Sequence, residues 1–328
     1  MPPSRAALAI LALLLVACQG PVPTATPRDE LRQVTLLLGY RPDVQFAPFY
    51  VAQREGHFAA AGLEVTIEHR QAPDVQRLVA DGQAEFGVAD ATDVMIARTA
   101  GVTIRYVSTL YQSFPVALIG AAGEVPQDPA ELAGLTIGTP GRFGSSWHAL
   151  TAILEAGGLT VDDVTLREYP QFNQAEGFAN GDVDLITGFR NNEPLRIASR
   201  GTEPDLLTLD DLAPLPGPGV VAGDDLLADD PELVRAFAAA VAAAQAEVIA
   251  DPDIGFAAAE AEVPTIGEDP ETARAVLDAT VELWEGDQFA DGAVDRDLWA
   301  DAYETMVRLG FIDGSVELDE MIADLSGT

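Results

Sequence analysis

The chain has 328 residues, which is enough for two domains of ordinary size once a short leader is set aside. Its 53 acidic residues outnumber its 18 basic residues, and a formal net charge of −35 at pH 7 excludes nucleic acid and anionic lipid surfaces as partners. Its one cysteine, Cys18, excludes a disulfide, a thiolate metal cluster and a catalytic thiol in the rest of the chain.

The N-terminus has the pattern of a secretory signal. Arg5 precedes the apolar run Ala6–Val16, and a small residue, alanine, stands directly before Cys18. The run is too short to span a bilayer as a helix, which needs about 20 apolar residues. The segment resembles the bacterial lipobox, whose cysteine is acylated; a cleaved signal with an incidental cysteine is the alternative. We expect residues 1–17 to be a lipoprotein signal peptide. Residues 18–32 would then be a flexible tether that holds the protein, lipid-anchored after export, on the extracytoplasmic face of the cell membrane.

Strand and helix patterns alternate through the first third of the chain. Val/Leu runs and alternating apolar residues predict strands, and apolar residues at helical spacing that stop near a glycine predict helices. The predicted strands are Val34–Tyr40, Leu63–His69, Phe86–Val88 and Ile104–Leu110, and the predicted helices are Phe46–Ala61, Asp74–Asp81 and Asp90–Ala100. This alternation is typical of a mostly parallel sheet with helices on both faces.

The same alternation then restarts and ends in a helical tail. The predicted strands are Val116–Ile119, Leu135–Gly138, Val164–Glu168 and Val183–Gly188. A turn with a short helix is predicted at Pro126–Leu132, and helices are predicted at Ser145–Ala156 and Asn173–Asn180. After the Pro/Gly segment Pro214–Gly219, a return strand is predicted at Val220–Ala222, followed by helices at Pro231–Ala250, Pro270–Trp284, Asp297–Leu309 and Leu318–Leu325. Two α/β units in series predict two lobes.

One predicted lobe is built from two segments of the chain and the other from a single segment. Residues 33–117 together with 222–328 form lobe 1, because the tail is expected to pack back on the first unit, and residues 118–221 form lobe 2. Ligands of α/β sheets bind at the carboxyl ends of the strands. In a two-lobed protein that position is the cleft, and the lobes close around the ligand by a hinge motion.

Three motifs in the expected order resemble one family. The segment GYRPDVQFAPFYVAQREGHFAAAGLEV at 39–65, the strand and its lead-in at Asp81–Val88, and the loop Leu135–Gly141 with the helix Ser145–Gly158 resemble bacterial solute-binding proteins of ABC importers. That family includes binders of thiamine pyrimidine precursors, riboflavin, sulfonates and nitrate. The resemblance covers nearly the whole chain after the leader. It implies a two-lobed periplasmic-binding-protein fold of type II, and ABC permease subunits as partners.

Two segments point to a branch of that family. Ile186–Pro194 (ITGFRNNEP), together with GYRPDVQFAPFY, resembles the vitamin-precursor branch, some of whose members are lipid-anchored. Val44-Gln45-Phe46 is more similar to the riboflavin binders than to the binders of the thiamine pyrimidine precursor. The resemblance therefore implies that the ligand is riboflavin, or otherwise a pyrimidine precursor.

A planar heteroaromatic ligand needs aromatic faces for stacking and in-plane hydrogen-bond partners. The aromatic candidates at strand ends or in the Gly-rich loop are Tyr40, Phe46, Tyr111, Phe143, Trp147 and Phe172. The polar candidates are Gln45, Asp90, Thr92, Ser145, Asn173, Asn191, Asn192 and Glu193, with Gly141 in the loop before Ser145. Core packing remains the alternative for each aromatic residue, and helix capping is the alternative for Asp90, Thr92 and Ser145.

An anionic ligand is the alternative within the same class of protein. Arg41, Arg142 and Arg190 lie near the predicted cleft and would suit a sulfonate, phosphate or carboxylate. The helix start at Ser145 follows GTPGRFG and offers free N–H groups to an anion, although the segment matches neither a P-loop nor a dinucleotide-binding fingerprint. For each arginine, pairing with surface carboxylates is the alternative.

The sequence does not favour catalysis. The three histidines have no metal-ligand spacing, and no Gly-x-Ser-x-Gly elbow surrounds Ser145. Eukaryotic members of the family that make the thiamine pyrimidine carry a Cys-rich iron-binding motif, which this chain lacks. We therefore expect no enzyme activity, no metal and no cofactor. A pyrimidine-synthesising enzyme or a ligand-sensing ectodomain are the alternatives from other classes.

Overall fold

The computed structural model describes residues 31–210, 212–285 and 292–325. The predicted leader at 1–17, the acylation site Cys18 and all but the last two residues of the predicted tether lie outside the described residues.

Ten strands form two five-stranded sheets in the described ranges. The strands are β1 (Arg32–Leu38), β2 (Leu63–His69), β3 (Phe86–Ala89), β4 (Ile104–Thr109), β5 (Val116–Ala121), β6 (Thr136–Thr139), β7 (Thr165–Glu168), β8 (Leu185–Phe189), β9 (Pro204–Thr208) and β10 (Gly219–Gly223). The first sheet has the order β2-β1-β3-β10-β4 and the second has the order β7-β6-β8-β5-β9. The two sheets define two lobes.

Both sheets are mixed. β10 runs antiparallel to β3 and β4, and β5 runs antiparallel to β8 and β9. The chain crosses from the first sheet to the second between Thr109 and Val116, where β5 begins. It returns to the first sheet between Thr208 and Gly219, where β10 begins. The lobe boundaries predicted from the sequence lie just beyond these crossings and stay a prediction.

Helices cover the faces of the sheets. They are α1 (Ala47–Arg54), α2 (His57–Ala60), α3 (Ala72–Ala80), α4 (Ala91–Thr99), α5 (Gly144–Ala156), α6 (Gln174–Ala179), α7 (Glu193–Ala198), α8 (Asp224–Asp229), α9 (Pro231–Ala250), α10 (Pro252–Glu262), α11 (Pro270–Trp284) and α12 (Arg296–Arg308). Short 3₁₀ helices span Val44–Phe46, Pro129–Leu132, Val161–Asp163, Pro264–Glu268 and Leu318–Glu320.

The tail helices cover both faces of the first sheet. Alternate residues of β1 point to opposite faces, so that Leu36 lies in the cluster with α1, α9 and α11, whereas Leu37 lies in the cluster with α3, α4 and α12. On one face the Phe237 ring of α9 stacks on Phe86 of β3 at 3.8 Å. On the other face Trp299 of α12 makes an edge contact with Tyr106 at 4.9 Å. The first lobe therefore has a large two-sided core.

One described helix, α9, is long and apolar enough to cross a membrane by length and composition. Its buried side chains, which include Phe237, Val241 and Val248, pack in the core of the first lobe. It therefore fits the core helix of a folded lobe.

Several element predictions need correction. The predicted helix Phe46–Ala61 is interrupted at Gly56, whose φ of 84° is a left-handed conformation that ends a helix. The predicted helix Leu318–Leu325 is wrong beyond its first turn, because Met321 and Ala323 hydrogen-bond Tyr106 and extend along β4. The sequence analysis did not predict β9, α7, α8 or α10.

Candidate functional site

A cavity of about 110 Å³ lies between the two lobes, where the carboxyl ends of β1, β3 and β8 face the start of α5. Ten residues predicted for the ligand site line it: Tyr40, Gln45, Phe46, Asp90, Tyr111, Phe143, Ser145, Phe172, Asn192 and Glu193. The structure thus gathers residues that are separated by more than a hundred positions in the sequence.

Aromatic side chains form most of the apolar wall. They are Tyr40, Phe46, Tyr111, Phe143, Phe172 and Phe189. Tyr40 of the first lobe and Phe172 of the second make an edge contact across the cleft, with ring centroids 4.8 Å apart. Phe172 has φ of 56°, a strained left-handed conformation for a bulky residue, and such strain is concentrated at binding sites. Burial raises the pKa of the Tyr40 and Tyr111 hydroxyl groups, so both tyrosines are neutral.

Two amide oxygens in the wall lack partners. Gln45 Oε1 and Gln174 Oε1 are buried and accept no hydrogen bond from any described residue. Gln174 uses its amide nitrogen to donate to the Thr187 carbonyl at 3.3 Å and to the Glu193 carboxylate at 3.4 Å. An unsatisfied buried acceptor costs about 1–3 kcal/mol. A ligand that donates hydrogen bonds to these oxygens would remove that cost.

Glu193 is held in a fixed position at the cavity wall. Its carboxylate accepts a 2.7 Å hydrogen bond from the Phe189 backbone N–H. Burial raises the pKa of this carboxyl group to about 7 from its ordinary value of 4.5. Gly188 makes the position possible, because a Cβ there would lie 2.7 Å from the Glu193 Cγ. The group therefore offers either an acceptor or a donor near neutral pH.

Polar contacts across the cleft flank the cavity at the start of α5. The Ser145 backbone N–H donates to the Asp90 carboxylate at 2.8 Å, and Thr92 Oγ1 lies 2.8 Å from His148 Nδ1. Burial, followed by the neighbouring Asp90 charge, raises the pKa of Asp93 to about 8. Burial also lowers the pKa of His148 to about 4, so this histidine is neutral at pH 7.

A second cross-cleft contact lies on the other side of the cavity. Arg196 Nη2 donates to the buried Asp43 carboxylate at 2.8 Å, and Asn192 Nδ2 lies 3.4 Å from the same oxygen. Asp43 follows β1, whereas Asn192 directly precedes α7 and Arg196 lies in the last turn of this short helix. The two lobes therefore contact each other on both sides of the cavity.

Five predicted site residues do not line the cavity. Thr92 contacts His148, as described above, and the Asn191 amide donates to Thr280 of α11 at 2.6 Å. The Gly141 carbonyl accepts from Thr139 in a loop that packs on Phe143. The Trp147 ring lies under the Arg142 guanidinium at 5.4 Å. Asn173 precedes α6 and lines a neighbouring cavity.

The arginines proposed for an anionic ligand are also outside the cavity wall. Arg142 pairs with Glu168 at 3.4 Å, and Arg190 pairs with Asp210 at 2.9 Å. Arg41 lies over the Tyr40 ring at 5.4 Å. Among the described residues, no arginine, lysine or histidine lines this cavity, whereas three carboxyl groups do. The backbone N–H of Ser145 at the start of α5 already donates to the Asp90 carboxylate. This electrostatic arrangement disfavours an anion.

The sequence analysis missed several wall residues, chiefly Gln76, Asp93, Gln174, Phe189 and Pro218. Two signals were present. Asp93 lies one helical turn after Asp90, and Gln174 follows a predicted site residue directly. Pro218 lies in the Pro/Gly segment that was interpreted only as a connection.

In the described ranges, no group of histidine, cysteine, aspartate or glutamate residues could hold a metal ion.

Comparisons with known proteins place the chain among binding proteins and related enzymes. A family model described as NMT1/THI5 like matches residues 43–254. The riboflavin-binding protein RibY of Chloroflexus aurantiacus is 34% identical over 95% of this chain and 93% of its own length. A formylaminopyrimidine-binding protein of Halalkalibacterium halodurans is 29% identical over 55% of this chain and 54% of its own. A 4-amino-5-hydroxymethyl-2-methylpyrimidine phosphate synthase of Aspergillus parasiticus is 26% identical over 68% of this chain and 69% of its own.

Solved structures identify the fold. The periplasmic aliphatic sulphonate binding protein SsuA of Escherichia coli superposes with a TM-score of 0.70 at 14% identity, covering 89% of this chain and 92% of that one. A Candida albicans protein described as having the generic periplasmic binding protein fold gives 0.66 at 14% identity, covering 88% and 93%. The predicted type II periplasmic-binding-protein fold is confirmed. At these identities the likeness concerns the fold alone.

Proposed function

This chain belongs to the NMT1/THI5-like family, and from that premise we propose that it is the solute-binding subunit of an ABC importer and that its ligand is riboflavin. The similarity to a riboflavin-binding protein extends over nearly the whole chain. In this proposal the chain is exported, anchored through an acylated Cys18 on the outer face of the cell membrane, and docks on permease subunits when the ligand is bound.

The character of the cavity wall carries the proposal. Six aromatic rings surround the cavity, Gln45 and Gln174 keep unpartnered amide oxygens there, and no basic side chain of the described residues reaches it. A flavin ring is planar, stacks on aromatic faces and donates a ring N–H, so it matches both the apolar and the polar parts of this wall.

Ligand entry requires the lobes to separate. The cavity of about 110 Å³ is smaller than the roughly 300–1,000 Å³ of typical ligand sites. We assign the moving parts to residues 33–117 with 222–328 and to residues 118–221, and the contacts at Asp43 and Asp90 to the closed state. Opening would break these contacts, and closure would bring the same residues back toward each other on either side of the ligand. The mechanism is binding and domain closure, with no bond chemistry.

The alternatives have less support. A sulfonate or nitrate site would need a cation or free N–H groups at the cavity, and Ser145 N–H already donates to Asp90. The pyrimidine phosphate synthases among the relatives are enzymes, but the sequence after Cys18 contains no cysteine to form the Cys-rich iron-binding motif. A pyrimidine precursor of thiamine fits the same aromatic wall and is separated from riboflavin by the experiment below.

The experiment is a visible spectrum of the purified protein followed by melting temperatures with added ligands. We expect yellow protein, or a melting temperature that rises with riboflavin and does not change with taurine or nitrate. A rise with formylaminopyrimidine alone would transfer the assignment to the thiamine precursor. A rise with taurine or nitrate alone would overturn the aromatic site.

A further inference from the structure

A second, more polar cavity adjoins the first. It has a volume of about 130 Å³ and shares Phe172 and Glu193 with the main cavity. We call it the polar annex; the residues on which the argument depends are Arg41, Asn173, Arg196, Ser199, Asp269 and Thr272. It receives side chains from the loop after β1, from the region of α6 and α7, and from the start of α11. The annex therefore spans both sides of the cleft beside the aromatic site.

The polar annex contains both hydrogen-bond donors and acceptors. The Arg41 guanidinium has no carboxylate within ion-pair distance among the described residues, while Asn173 Oδ1 is buried and accepts no hydrogen bond from them. Thr272 and Ser199 add hydroxyl groups, and Asp269 adds a carboxylate. Hydroxyl groups of a ligand both donate and accept, so a chain of them can satisfy such a mixed lining.

The annex has no surplus positive charge. Arg196 is paired with Asp43 at 2.8 Å and Arg200 with Glu176 at 3.3 Å, so Arg41 is the remaining cation in a lining that also holds Asp269 and Glu193. A phosphate dianion has no donor to offer Asn173 or Asp269, and it would be repelled by the carboxylates. The lining therefore favours a neutral hydroxylated group over a phosphorylated one.

We propose that the polar annex binds the hydroxylated chain of the ligand while the planar ring occupies the main cavity, so that this protein selects a ring bearing a neutral polyol over both the bare ring and its phosphate ester. This inference rests on the proposed function. It assigns the two halves of the ligand to two adjoining cavities that meet at Phe172 and Glu193.

The test compares three flavins on the purified protein by fluorescence titration. Lumiflavin has the ring without the polyol, riboflavin has both, and flavin mononucleotide carries a terminal phosphate. We expect riboflavin to bind at least about tenfold more tightly than lumiflavin and more tightly than flavin mononucleotide. Asn173→Ala and Arg41→Gln are each expected to weaken riboflavin binding by about three- to tenfold and to leave lumiflavin binding unchanged.

The matched control is Asn180→Ala, which changes an exposed asparagine at the other end of α6 and should change neither affinity. An unchanged riboflavin-to-lumiflavin ratio in both annex variants, or tighter binding of flavin mononucleotide than of riboflavin, would overturn the annex assignment while leaving flavin binding in place. If wild-type protein binds no flavin, the proposed function fails, and the annex assignment fails with it. Wild-type titrations therefore distinguish the two failures.

Discussion

The Arg196 guanidinium donates a 2.8 Å hydrogen bond to the buried Asp43 carboxylate and so joins the second lobe to the first. On the opposite side of the cavity, the Ser145 N–H donates to Asp90 at the same distance. The cavity is therefore bracketed by two polar contacts that join the lobes, and separation of the lobes would break both. The stability of this lobe-to-lobe arrangement, and with it ligand affinity, should depend on Asp43, which lines neither cavity.

Asp43→Asn tests this dependence. The amide can still accept from the Val44 N–H, to which Asp43 Oδ1 now lies at 2.7 Å, but the charge that attracts Arg196 is removed. We expect riboflavin affinity to fall roughly tenfold, because the closed population falls by that factor. Small-angle X-ray scattering of ligand-free protein should give a larger radius of gyration.

Asp210→Asn is the control for the loss of an ion pair. Asp210 pairs with Arg190 at 2.9 Å at the surface, and exposed pairs contribute about 0–1 kcal/mol. This variant should retain wild-type affinity and dimensions. Equal affinities for the Asp43 and Asp210 variants would show that the Asp43–Arg196 contact does not govern closure.

A pair of aromatic substitutions compares a residue of the cavity wall with one that packs outside the cavity. Tyr40→Ala removes a ring from the cavity wall, and we expect riboflavin binding to weaken by about 1–3 kcal/mol. Trp147→Ala removes a ring that packs under Arg142 outside the cavity, and we expect riboflavin affinity to stay unchanged. Calorimetric titration measures both. Loss of binding in the Trp147 variant with retained binding in the Tyr40 variant would reverse the assignment.

Local sequence signals predicted the two-lobed fold and ten of the wall residues, because strand ends and glycine-rich loops can be identified from the residue pattern alone. They did not predict which of two neighbouring side chains faces the cavity, because tertiary packing determines that. Trp147 and Ser145 both lie in the first turn of α5, and only the packing of that helix turns Ser145 toward Asp90 and Trp147 toward Arg142. Similarly, Asn191 and Asn192 are adjacent, yet one donates to Thr280 and the other lines the cavity.

The buried Glu193 carboxyl group gives the ligand-free protein a measurable pH dependence. Its pKa is raised by burial from 4.5 to about 7, so the native state binds a proton that the unfolded chain has released. The stability that Glu193 contributes to the folded state is fully present below about pH 4.5 and is lost as the pH rises through about 7. Glu193→Gln should reduce the loss of unfolding free energy between pH 5 and pH 8 by on the order of 2–3 kcal/mol, measured by urea denaturation.

Glu176→Gln provides the comparison for that experiment, because Glu176 is an exposed carboxylate paired with Arg200. Its profile should parallel that of the wild type, since every other buried carboxyl group, including Asp93, titrates equally in both proteins. Parallel profiles for all three proteins would mean that Glu193 ionises normally in the folded state.

Gly188 leaves no space for a side chain beside Glu193. A Cβ at this position would lie 2.7 Å from the Glu193 Cγ and 2.8 Å from its Oε2, closer than carbon and oxygen atoms can pack. Gly188→Ala must therefore displace the carboxyl group and break its bond to the Phe189 N–H, at a cost of about 1–3 kcal/mol in stability. Because Glu193 lines both cavities, we expect riboflavin affinity to fall more than about tenfold. Gly267→Ala, at a site with open space around it, should change neither quantity. Wild-type riboflavin affinity in a folded Gly188→Ala protein would remove Glu193 from the ligand site.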